Sequence, residues 1–168
     1  MIDNYSEDVV KVYRGMAYKI FFAIAIIIAA IGVLVGIIVQ GIGLVVLVVC
    51  AIVLFLLISR KNVEYEYTIT NGAVDISAIY NMSNRKDKLS FALNEINLIA
   101  PISSLRIEGL KEQGSIKKIR DYSSKTKADN TFGIVIERLG VKELVVLELS
   151  DKSLDIFKIC AKNIFYSE

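Results

Sequence analysis

At 168 residues the chain suits one ordinary domain, or one small domain plus membrane segments. The apolar fraction of 54% is high for a soluble domain, while 20 bases against 18 acids exclude the strongly basic surface of a dedicated nucleic-acid binder. Histidine is absent, which removes the commonest general base and the commonest zinc ligand.

Residues 1–18 read as a short cytoplasmic N-terminal segment, and residues 1–19 balance three acids with three bases. Residues 20–59 contain no Asp, Glu, Lys or Arg. A bilayer core needs about 20 apolar residues in a helix, so this run is long enough for two crossings. Its only strongly polar side chain is Gln40, beside Gly41, which permits a tight turn. The expectation is a transmembrane helical hairpin over 19–59, with spans of about 19–39 and 42–58. Ile, Val and Leu dominate both halves, each favouring insertion by about 0.3–0.6 kcal/mol at a helix centre.

Gly32 and Gly36 lie four apart, so they share a helix face on which a second helix can approach closely. The face fits packing within the hairpin or a dimer seam. The first span is too long for a secretory signal peptide, and no small-x-small cleavage site follows it. Lys11, Arg14 and Lys19 precede the spans, and Arg60 and Lys61 follow them, while the connecting turn has no base. The positive-inside rule then places both termini in the cytoplasm. Tyr13 and Tyr18 suit the headgroup layer, where an amphipathic ring has its polar tip in water.

Residues 60–168 are expected to form one cytoplasmic domain. Val63, Tyr65, Tyr67 and Ile69 alternate with Glu64, Glu66, Thr68 and Thr70, a strand with one buried face. Asn71-Gly72 marks a two-residue hairpin turn, and Val74, Ile76 and Tyr80 continue on the return strand. Residues 81–87 read as a polar turn. Leu89, Phe91 and Leu93 alternate again, and a short apolar run over 96–100 ends at Pro101. Residues 102–114 fit either an irregular strand or a short helix. Residues 115–122 read as a strand and 123–130 as a polar loop. A second hairpin, 131–138 and 141–149, turns at Leu139-Gly140, with Val145, Leu147 and Leu149 on one face. Ser150 offers an N-cap for a C-terminal amphipathic helix with Leu154, Phe157, Cys160, Ala161 and Ile164 inward. The sum is six or seven antiparallel strands closed by one helix.

Recognisable chemistry is missing. Triads of the Ser-His or Cys-His type fail without histidine. Cys50 and Cys160, one in the apolar run and one near the C-terminus, make no ligand set and are expected as reduced thiols. There is no Gly-x-x-x-x-Gly-Lys loop. The acid pairs Glu64/Glu66 and Asp151/Asp155 sit on faces expected to be solvated. No catalytic, cofactor or metal residue is assigned, and the chain is expected not to be an enzyme. Lys111, Lys117, Lys118, Arg120, Lys125 and Lys127 lie with Glu112 and Asp121 in one region; a solvated loop is the first expectation there, and contact with anionic lipid, at about 1 kcal/mol per base near the surface, the second. Lys19, Arg60, Lys61, Lys117, Lys118 and Arg120 are the candidate membrane-surface contacts.

The Tyr-rich strand and turn EYEYTITNGAVDI, followed by strands and a closing helix, resemble a small pleckstrin-homology-like domain. With the double span, the LSFALNEINLIAP stretch and the closing strand pair, the chain resembles an uncharacterised family of small two-span membrane proteins of Gram-positive bacteria. The turn at Arg85-Lys86-Asp87-Lys88 departs from a polybasic one by its acid. The resemblance implies an α+β membrane protein of the bacterial plasma membrane: a helical hairpin, then an antiparallel β-barrel or sandwich with a C-terminal capping helix. It carries no assigned activity. The expected role is a membrane-anchored interaction or scaffold module, with the bilayer and a protein partner or second copy as its contacts. Self-protection of the bacteriocin-immunity kind is the alternative. An enzyme or transporter ranks last, since intramembrane charges normally mark an ion path and none is present.

Overall fold

The computed structural model describes residues 5–13, 16–38, 42–59, 63–70, 72–126 and 128–166. Gln40, Gly41, Arg14, Arg60, Lys61, Asn71 and Lys127 lie outside them.

The chain opens with a strand, β1 (Ser6–Lys11), and then two helices, α1 (Met16–Ile38) and α2 (Ile42–Ser59). Strands β2 (Val63–Thr70), β3 (Ala73–Tyr80) and β4 (Asn84–Ala92) follow, and a 3-10 turn (Leu93–Glu95) leads to β5 (Ile96–Pro101). Next come α3 (Leu105–Glu112), β6 (Ile116–Asp121), β7 (Thr131–Arg138), β8 (Val141–Glu148) and α4 (Asp151–Cys160).

The strands form two four-stranded sheets, ordered β1-β2-β3-β4 and β5-β7-β8-β6. Of the barrel or sandwich expected, the described strands make a two-sheet sandwich, not one closed sheet. Tyr67, Ile69, Val74, Ile76 and Phe91 of the first sheet meet Ile99, Ile134, Ile136, Val145 and Leu147 of the second, with Phe157 and Ile156 of α4 completing the core. Each such buried side chain contributes about 1.5–3 kcal/mol over its exposed state.

Two features lay beyond the sequence patterns. First, β1 is part of the domain. It pairs antiparallel with β2 from Ser6↔Ile69 to Lys11↔Glu64, so α1 and α2 form an insertion between neighbouring strands. Second, β6 runs parallel to β8, which corrects the all-antiparallel expectation. Because β5 and β8 both oppose β7, β5 and β6 run the same way on opposite sheet edges. Parallel strands need a crossover, usually helical, and α3 supplies it. Ser104 caps α3 by accepting from the Ile107 N–H, and Ile107 packs with Leu98, Val135, Leu144 and Val146 on the second sheet's outer face. Gly133 lets α3 approach: a Cβ there would sit 3.1 Å from Ile107 Cδ1. The second sheet is thus covered on both faces, and β7 is buried from Thr131 through Ile136.

α4 is held from both ends of the sequence. Ser150 accepts from the Ser153 N–H as N-cap. Asp8 of β1 accepts from the Ser150 N–H at 3.1 Å and the Ser153 hydroxyl at 2.6 Å. A carboxylate at a helix N-terminus also meets the positive end of the helix dipole. Cys160 points outward, and Ile156 takes the inward place expected of it.

α1 and α2 pack side by side through Gly32, where an added Cβ would come within 2.8 Å of Val46 Cγ1 and 3.6 Å of Cys50 Sγ. Among the described residues one stretch, Tyr18–Gly36, is long and apolar enough to cross a membrane, with mean hydropathy 2.6 and only 6% of it buried. The apolar stretch Val45–Phe55 of α2 is shorter.

Candidate functional site

The insertion defines one end of the β-domain. Past β1, the Val12 N–H donates to the Val63 carbonyl at 2.9 Å and the Tyr13 N–H to the Ser124 carbonyl at 2.8 Å. The chain is therefore pinned to the domain until three residues before α1 begins at Met16. An extended chain covers at most about 3.6 Å per residue, so this link reaches no further than about 11 Å. The return from Ser59 to Val63 reaches about 14 Å by the same measure.

A groove of about 270 Å³ opens at this end, lined by Lys11, Val12, Tyr13, Val63, Glu64 and Met82. Met82 comes from the β3–β4 turn. That turn is closed by the Ser83 N–H donating to the Tyr80 carbonyl at 3.2 Å, with Asn81 and Met82 both at positive φ, 50° and 59°. Hairpin turns with two successive residues at positive φ favour Gly at the second. The chain follows that rule at Gly140 (φ 76°) but places methionine here, 74% exposed. Tyr13 beside it is 65% exposed. Reading 81–87 simply as polar hid this residue. The signal was a Met directly after Asn81 in a strand-to-strand turn, where Gly is the ordinary choice.

Lys11 and Glu64 are the charged residues that line the groove, and further bases stand on β4 and on the loop after β6. Lys88 stands over the Tyr80 ring, 5.3 Å from its centroid, and its hydrogen bond to Tyr80 raises its pKa. Lys86 is exposed on the same strand. Lys125 pairs with Asp121. Burial pulls the Asp121 carboxyl upward, but hydrogen bonds from Lys125 and Ser123 outweigh it and hold the pKa below its ordinary value.

The outer face of the first sheet is a second polar surface. Glu66 is 7% exposed and pairs with Arg85 at 3.0 Å. The buried Ser77 hydroxyl donates to Asp87 at 2.9 Å. Tyr5 donates to Glu7 at 2.5 Å, which raises the Tyr5 pKa. This corrects the solvated face expected for Glu64 and Glu66. Glu66 is buried and paired, and Glu64 is half-buried with Lys11 at 3.6 Å. Among the described residues no group of three acid, cysteine or histidine side chains could hold a metal.

The candidate surface bases do not converge. Lys117 and Lys118 lie on β6 at the register of Lys142 and Glu143, beside the β7–β8 turn. β8 has eight residues from Val141 to Glu148, seven steps or about 23 Å at 3.3 Å each, and Glu148 is the end that holds Ser124. Lys117 and Lys118 are therefore remote from Tyr13. Arg120 is engaged by Glu143 at 2.6 Å, and its hydrogen bonds hold the Glu143 carboxyl below the usual range. Lys19 is exposed on α1. Gly32 faces α2, and Gly36 is half-buried one turn further on. Cys50 and Cys160 are both free.

Residues 2–167 match the model of a family described as Bacterial PH-like domain (DUF6106). No curated protein and no solved structure matches the chain.

Proposed function

The chain belongs to this bacterial family of pleckstrin-homology-like domains, and from that premise we propose a non-enzymatic, membrane-anchored interaction module. In this reading α1 and α2 cross the plasma membrane as a hairpin, and the two-sheet domain is presented at the cytoplasmic face to a protein partner or a second copy.

The observation that carries it is the insertion of α1 and α2 between β1 and β2. Paired strands lie in one compartment, so the chain between them crosses the bilayer an even number of times. If Tyr18–Gly36 spans, α2 must return. The exposure of that stretch supports a lipid environment, because the core helix of a soluble protein would be mostly buried. Lys11, Arg14, Lys19, Arg60 and Lys61 flank the pair, which supports the cytoplasmic side. The ion pairs that occupy Glu66, Asp121 and Glu143 support a binding role over acid–base chemistry.

The test uses the full chain in cells. A Leu139→Cys variant, with Cys50→Ala and Cys160→Ser behind it, should react with an impermeant maleimide only in inside-out vesicles. The protein should also stay in the membrane fraction after alkaline carbonate washing. Labelling from outside, or release by carbonate, would refute the anchor. Chemical cross-linking in the membrane should give a discrete larger species. A protein that remains strictly monomeric would refute the interaction role.

A further inference from the structure

Resting on the membrane-anchored reading, we infer that the domain is docked by one end into the lipid headgroup layer, with Met82 and Tyr13 as its apolar contacts. The occupant of the 270 Å³ groove is then the bilayer surface itself.

Tether length sets the position. Tyr13 is hydrogen-bonded to the domain and lies within about 11 Å of Met16. The apolar stretch starts at Tyr18, two residues or about 3 Å further along the helix. The headgroup layer on one side of a bilayer is about 5–8 Å deep, from a total of ~40–45 Å around a ~30 Å core. The second link, from Ser59 to Val63, is nearly as short. Two short links on one end leave the domain little room to stand off from the surface.

The chemistry of that end fits lipid. A thioether and a phenol are held outward side by side, one of them at a backbone position that disfavours side chains. Amphipathic rings partition to the headgroup level. Lys86 is exposed on the strand that leaves the turn, and Lys125 follows the Ser124 that holds Tyr13; ammonium groups there suit lipid phosphates.

The molecule supplies its own control. Leu139 is also an apolar turn residue at positive φ, 51°, and fully exposed, but it lies at the far end of β8. Single-cysteine variants Met82→Cys, Leu139→Cys and Ile27→Cys, made in the full chain with Cys50→Ala and Cys160→Ser, are nitroxide-labelled in vesicles containing one-quarter anionic lipid. Collision with dissolved oxygen is compared with collision with a water-soluble nickel chelate. The oxygen-to-nickel ratio should be highest at 27, lowest at 139, and severalfold above the 139 value at 82. A ratio at 82 equal to that at 139, with 27 deep in lipid, overturns the docking and leaves the anchor standing. A water-like ratio at 27 overturns the anchor, and the docking with it. Met82→Asp should lower the ratio at a label on Asn84→Cys; an unchanged ratio there overturns the role given to Met82.

Discussion

Ile27 and Ile134 are the same residue in opposite circumstances. Ile134 of β7 is fully buried between a second sheet and a helix, while Ile27 of α1 is 58% exposed among neighbours that are exposed too. The β-domain sorts its side chains by face, and its outward positions carry ion pairs. α1 sorts nothing: apolar groups point in every direction, and among its described residues only Gly32 is buried. Sorting is what water demands of a fold. Its absence, beside a domain that sorts carefully, is what the proposed membrane anchor requires.

Four substitutions break or sharpen this contrast. The largest effect is expected in the sorted part. Phe157→Ala empties the centre of the inter-sheet core and should cost about 3–5 kcal/mol, read as a lower urea midpoint for the domain in detergent. Ile27→Lys should cost insertion about 2.5–3.5 kcal/mol and shift the chain toward the soluble fraction, with the urea midpoint of the β-domain unmoved. A fall in both readouts would mean that helices and sheets fold as one unit. Asp8→Ala leaves the Ser150 N–H without its acceptor and the Ser153 hydroxyl with Ser6 alone, at about 1–3 kcal/mol, and should speed hydrogen exchange in α4 before the sheets respond.

The smallest effect belongs to Arg120→Ala. Its partner Glu143 is near the surface, so the pair is worth about 0.2–1 kcal/mol. Arg120 lowers the Glu143 pKa in the folded state, so the contribution is complete above the unfolded value of ~4.3. It is lost as pH falls through the folded value. Wild type and variant should therefore differ at pH 7 and converge in acid. A constant gap across pH would assign the effect to lost packing.

Local pattern told much of the fold. Alternation from Val63 to Ile69 gave β2, glycines 72 and 140 marked two hairpin turns, and Ser150 capped α4 as its position implied. What escaped the sequence depends on distant partners. The segment SEDVVK is a strand because β2 lies beside it, with a long helical insertion between them. α3 buries only Ile107, so its periodicity is too faint to separate helix from strand. The parallel run of β6 follows from a crossover, which no local alternation encodes. Glu66 looked solvated because alternation predicts a face, while its burial depends on Arg85 from another strand. The groove at Tyr13 and Met82 escaped for the same reason: residues 69 positions apart meet only once the sheet has formed.

The placement of β1 also sets a timetable. Asp8 is linked to Ser153 across 145 positions. At about 5–20 residues per second of synthesis, its partner emerges roughly seven to thirty seconds after it does. In that interval the first strand can pair with β2 but lacks its contacts to α4. The strand made first is thus among the last pieces fastened, and a ribosome stalled before α4 would leave it half attached. Nascent chains of increasing length, probed with protease, should show Ser6–Lys11 becoming protected in two steps: once as β2 appears, and again when α4 closes over it.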